Sequence, residues 1–138
     1  MSDDLARRAV ACRHWRWLPG MLIQTVGGPT DRIAGIDSTY IHAWAESQQT
    51  ENPRGMWIRY RLDRMDKHGV PDLSDPATLG CLLALVREAW EDPCICTAVD
   101  NTGAGWWVDG WTAARPQVPS DLHPTEAAAL VAALEAAP

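Results

Sequence analysis

The chain has 138 residues, 46% hydrophobic and 22% charged, with a formal net charge of −6. That length and mixture suit a single domain over residues 1–138 that folds without disulfides or a structural metal. The acidic balance argues against nucleic acid as the main partner, since phosphate binding draws on clustered cations, and no stretch approaches the roughly 18 apolar residues of a membrane span.

Asp3 or Asp4 can cap a first helix over about 4–14, with Leu5, Ala6, Ala9 and Val10 inward and Arg7 and Arg8 outward. Trp15-Arg16-Trp17-Leu18 follows, and Pro19-Gly20 suits the centre of a type II turn. Large aromatics between a helix and a strand usually close a core edge. Trp15 is therefore expected to be buried, Trp17 to be the more accessible of the pair, and Arg16 to reach outward.

Strands are expected at about 21–26 and 32–36, and a weaker one at 39–44; residues 46–55 read as a polar loop. The cleanest alternation is in MWIRYRL, where Met56, Ile58, Tyr60 and Leu62 share one face and Trp57, Arg59 and Arg61 the other. A linker, residues 63–75, leads to the strongest helix. Asp75 is a good N-cap and Pro76 fits the first helical position. Leu79, Leu82, Leu83, Val86 and Trp90 make its apolar stripe, Arg87, Glu88 and Glu91 lie off it, and Glu91-Asp92-Pro93 ends it.

CICTAV, the loop DNTGAG and WWVDGW form a hairpin, with Trp107, Asp109 and Trp111 on one face of its second strand and Trp106 and Val108 on the other. A last helix, about 124–136, carries the stripe Ala127, Leu130, Val131 and Leu134. This order predicts an α+β fold, a mainly antiparallel sheet of about five to six strands covered by three helices.

The chemistry-bearing residues are sparse. Cys94 and Cys96 on a strand would point to one face and supply half of a tetrahedral zinc site, but Cys12 and His14 lie on a different element. Small buried thiols are the preferred reading, and no metal or cofactor is expected. The four cysteines lack a disulfide framework and the N-terminus lacks the apolar core of a signal peptide, which together point to reduced thiols in a cytoplasm. His14, His42, His68 and His123 sit in no catalytic motif, and no phosphate loop, dinucleotide fingerprint or nucleophile elbow is present. The chain is expected to be non-enzymatic; a small enzyme or nucleotide-binding protein with a site assembled in space is the alternative.

Eight tryptophans and eleven arginines stand against no phenylalanine and one lysine. Trp and Arg stack on unpaired bases, so single-stranded nucleic acid is one use for them. They also dominate protein interfaces, which suits an acidic chain better. The candidate partner-binding residues are Arg16, Trp17, Trp57, Arg59, Arg61, Trp107 and Trp111, facing another protein or a second copy of the chain in a homodimer. Residues 1–67 carry +2 and residues 68–138 carry −8, so the second half reads as a solvated acidic face or a match for a basic partner.

WRWLPGM, PDLSDPATLGCLLALVREAW and TEAAALVAALEAA resemble segments of small bacteriophage and prophage proteins of the phage ABA sandwich type, in which helices flank a small sheet. The likeness covers about half the chain, namely the first helix and turn, the long helix and the last helix, and residues 24–68 fall outside it. The resemblance implies a phage or prophage accessory protein with no catalytic or cofactor residues to carry over. By analogy with such proteins, it would bind a host or phage protein in the bacterial cytoplasm, for instance to inhibit a defence system.

Overall fold

A computed structural model describes residues 2–28, 30–45, 57–110 and 122–138. The fold is α+β, with a five-stranded antiparallel sheet, a separate two-stranded sheet and four helices among the described residues. The chain divides into two compact units, Trp17–Thr78 and the pairing of Met1–Arg16 with Leu79–Pro138.

In the unit Trp17–Thr78 the strands are β1 (Leu22–Thr25), β2 (Thr30–Ile36), β3 (Tyr40–Ala45), β4 (Trp57–Arg61) and β5 (Gly69–Pro71). Their order is β4-β3-β2-β1-β5, and every neighbouring pair is antiparallel. Short turns explain the β1-β2-β3 meander; Gly27 and Gly28 turn the first corner at φ 125° and 109°, which side chains with a Cβ rarely adopt. The strand at 39–44, weak in sequence, is fully paired as β3. Its alternation is strict, with Ile41, Ala43 and Ala45 buried and Tyr40, His42 and Trp44 half-buried on the opposite face. On β2, Asp31 and Ile33 share the buried side, and the register shifts between Ile33 and Gly35.

The expected linker 63–75 is more ordered than its composition suggests. It holds a 3-10 turn (Leu62–Arg64), a single helical turn α2 (Met65–His68) and β5. Met65, 3% exposed, anchors this segment, and β5 pairs with β1 through Ile23–Pro71, Gln24–Val70 and Thr25–Gly69. Pro71 is tolerated because β5 is a sheet edge.

Helix α3 (Pro76–Ala89) begins at the expected cap. Asp75 Oδ2 accepts from the Thr78 N–H at 2.9 Å and from the Thr78 hydroxyl at 2.8 Å. Thr78 Oγ1 in turn accepts from the Leu22 N–H at 2.8 Å, joining the helix start to β1.

The other unit contains α1 (Ser2–Ala11), α3 from Leu79 onward, β6 (Cys96–Val99), β7 (Trp106–Asp109) and α4 (Glu126–Ala136). Helix α1 is shorter than the expected 4–14. Asp3 and Asp4 occupy its first turn, where negative charge meets the positive end of the helix, rather than its cap. Ala6 and Ala9 are buried and Arg7 and Arg8 exposed, as the pattern required.

The buried side of α3 comprises Leu82, Val86 and Trp90 together with Leu85, while Leu79 and Leu83 are half-buried. The helix closes with Glu91 at φ 51° and the Asp92 N–H on the Arg87 carbonyl at 2.9 Å, the 6→1 bond of a Schellman ending. The Trp90 indole N–H donates to the Ala133 carbonyl of α4 at 2.8 Å. Thr125 caps α4 by accepting from the Ala128 N–H, and Ala127, Leu130, Val131 and Leu134 are all buried. The hairpin of β6 and β7 stands as its own sheet, extended by a bridge between Trp106 and His123.

Candidate partner-binding face

The register of β3 against β4 pairs Trp44 with Trp57, His42 with Arg59, and Tyr40 with Arg61. Because side chains alternate, these six residues share one face of the sheet, and Ile41, Ala43, Ile58 and Tyr60 take the other. The Trp44 and Trp57 rings meet edge to face at 4.8 Å, and Trp57 is 61% exposed. The Arg59 guanidinium lies 5.0 Å from the centre of the Tyr40 ring.

Most of the charge on this face is internally matched. Arg61 donates to both oxygens of Asp63 at 3.1 and 3.2 Å. His42 Nε2 sits 2.8 Å from Asp37 Oδ2, while Asp37 Oδ1 accepts from the Thr39 and Tyr40 N–H groups at 2.8 and 2.7 Å. His42 first, and those two N–H groups after it, hold the Asp37 carboxyl down to about 2.

Of the seven residues singled out in the sequence, this face gathers Trp57, Arg59 and Arg61. Arg16 is exposed but pairs with Glu88 at 2.7 Å. Trp17 corrects the expectation: it is 8% exposed, whereas Trp15 is half-buried, so their order is reversed. The cause is the turn at Pro19-Gly20. Met21 N–H on the Leu18 carbonyl (3.2 Å) closes it, and Gly20 N–H on the Ile33 carbonyl (2.8 Å) ties it to β2, which draws Trp17 inward. Trp107 is half-buried on β7, and Trp111, like Met56, lies outside the described residues.

Cys94 and Cys96 are a second correction. Cys94 lies in a turn before β6, only Cys96 is on the strand, and both thiols are exposed rather than packed in a core. Among the described residues, no group of three His, Cys, Asp or Glu side chains is placed to hold a metal ion, and no helix is long and apolar enough to cross a membrane.

Sequence reasoning did not single out Asp31. It is 1% exposed, and its Oδ2 accepts the Tyr60 hydroxyl hydrogen bond. Burial first, and the Asp31 carboxylate after it, push the Tyr60 hydroxyl well above the usual phenol range. Asp31 Oδ1 is buried with no hydrogen-bond partner among the described residues. Both residues line a pocket of about 280 Å³ with Val26, Ile58, Lys67 and His68. The only signal was an acid placed at the start of an otherwise apolar alternation on β2, which reads equally well as part of a turn.

Compared with known protein families, curated proteins and solved structures, the chain shows no match.

Proposed function

We propose that the chain is a non-enzymatic accessory protein of a phage or prophage, acting in the bacterial cytoplasm by binding another protein through the Trp57 face of β3 and β4. The observation that carries this reading is the exposure of Trp57 at 61%, braced edge-on by Trp44 and flanked by Arg59 and Tyr40. Trp, Tyr and Arg are the residues that dominate interface hot spots, because they bury large areas with few rotors and keep a polar handle.

Charge favours protein over nucleic acid. With Arg61 matched by Asp63 and His42 by Asp37, Arg59 is left as the main cation of the face without an ion pair among the described residues. One cation releases few counterions from a phosphate backbone, so a nucleic acid gains little here. A protein surface offering an apolar recess for Trp57 beside a carboxylate for Arg59 gains more.

The test compares the full chain with a Trp57→Ser/Arg59→Ser variant, first as baits in host lysate and then against the purified captured protein. The expected result is a retained protein whose affinity for the variant is weaker by about a hundredfold. Equal affinity for both forms overturns the reading. Binding of a labelled single-stranded oligonucleotide at low salt, lost in the same variant, would replace it with the nucleic-acid reading. A dimer by light scattering, dissociated by the same variant, would make the partner a second copy.

A further inference from the structure

We propose that the pocket beside Asp31 binds a small aliphatic amino acid, with the ligand ammonium on Asp31 Oδ1. This inference is independent of the Trp57 face, whose side chains point to the opposite side of β3 and β4.

Asp31, buried in the lining of the pocket, sets the first requirement. A carboxylate oxygen with no donor among the described residues, on a side chain that is 1% exposed, is costly to leave unpaired. The companion oxygen is already held by the Tyr60 hydroxyl, which fixes the carboxylate in orientation. What Oδ1 lacks is an N–H or O–H donor, and a cationic donor adds charge attraction in a poorly hydrated place.

The walls set the second requirement. Val26, Ala45 and Ile58 offer aliphatic surface, and about 280 Å³ is the lower end of ligand-pocket sizes, so the ligand body is small and apolar. The turn carrying Val26 is held to the end of α2 by its N–H on the His68 carbonyl at 3.1 Å, so this wall is fixed by the backbone.

The exposed residues of the lining set the third. Lys67 and His68 both line the pocket and are both exposed, which supplies a site for an anionic group. An ammonium, a short aliphatic body and a carboxylate in one molecule describe an amino acid. A plain alkylamine meets the first two requirements and leaves Lys67 unused.

The experiment is a titration of the full chain, followed by amide chemical shifts, with L-leucine, L-valine, 5-aminopentanoate and n-butylamine. The expected result is saturable shifts at Thr25, Val26, Asp31, Lys67 and His68 with a Kd below about 1 mM for at least one amino acid, and weaker binding of n-butylamine. Asp31→Asn should weaken the amino acid by about tenfold or more. Lys67→Ala alters an exposed residue and keeps the test meaningful if the Asp31 variant fails to fold. It should weaken the amino acid severalfold and leave n-butylamine unchanged. Absence of saturation by every probe up to about 10 mM, a range that covers millimolar affinities, overturns the proposal. So does n-butylamine binding as tightly as the amino acids, or Lys67→Ala leaving the amino acid affinity intact.

Discussion

Arg32 and Asp75 form a two-point ion pair, Nη1 to Oδ2 at 2.6 Å and Nη2 to Oδ1 at 3.1 Å, in which Asp75 is also the N-cap of α3. Burial by itself would raise the Asp75 carboxyl. The Arg32 guanidinium and the Thr78 N–H and hydroxyl outweigh that and hold it below its ordinary value. Its contribution to stability is therefore complete above about pH 4, where an unfolded Asp is ionised, and is lost as pH falls through the lowered folded value. Asp75→Ala should cost about 2 kcal/mol at neutral pH, combining the lost cap with the lost two-point ion pair to Arg32. Urea unfolding at a series of pH values checks this: the gap between wild type and variant should narrow on acidification below pH 4 or so.

Tyr60 and Asp31 give the opposite sign at the other end of the pH scale. The Tyr60 hydroxyl is raised above its ordinary value by burial and by Asp31, so the folded chain keeps a proton that the unfolded chain gives up near pH 10. The associated stability is fully present below about pH 10 and declines as the solution becomes more alkaline. Tyr60→Phe should abolish that alkaline decline. It should also cost about 1–3 kcal/mol at neutral pH, because both Asp31 oxygens then lack a donor among the described residues. Thermal unfolding of both forms between neutral and strongly alkaline pH measures both effects.

How far these features could be read in advance depended on whether a local pattern carried them. Ala127, Leu130, Val131 and Leu134 declare a helix face by spacing alone, and Asp75-Pro76 announces a helix start by local hydrogen bonding; both stand as read. The alternation of Trp57, Arg59 and Arg61 against Ile58 and Tyr60 placed half of the candidate face correctly. Its other half, Tyr40, His42 and Trp44, comes from the strand whose own signal was weakest, because pairing on both sides supplies what propensity does not. Strand β5 is three residues long and has no period to detect. The burial of Trp17 is not legible locally because the turn beside it is tied to Ile33, sixteen positions on, and the pocket at Asp31 needs β1, β2, β3, β4 and α2 together.

Gly69 shows what holds that short strand. Its backbone is extended, φ 171°, so conformational freedom is not the reason for glycine. Space is. A Cβ there would stand 2.5 Å from the Gln24 carbonyl oxygen and 2.9 Å from Ile23 Cγ2, and the first of these is backbone that cannot swing away. Gly69→Ala should force β5 from β1 and destabilise by about 2–3 kcal/mol, a cost typical of overpacking. Chemical denaturation gives the total. Hydrogen exchange at Thr25 and Val70, faster in the variant than at Leu130, would localise the damage to the β1–β5 seam.

The thiols permit a direct check on the corrected hairpin. Cys94 and Cys96 are exposed, whereas Cys12 is half-buried with its Sγ 3.5 Å from the Leu134 carbonyl, and Cys81 is half-buried on α3. Thiol–reagent rates follow access, so a native titration with an aromatic disulfide should separate two fast thiols from two slow ones. Cys94→Ser/Cys96→Ser should remove the whole fast phase and leave the slow phase intact until denaturant is added. Because both side chains face solvent, the double variant should stay within about 0.5 kcal/mol of wild type. Four equally slow thiols would instead mean that the segment before β6 is packed away, as the CICTAV pattern first suggested.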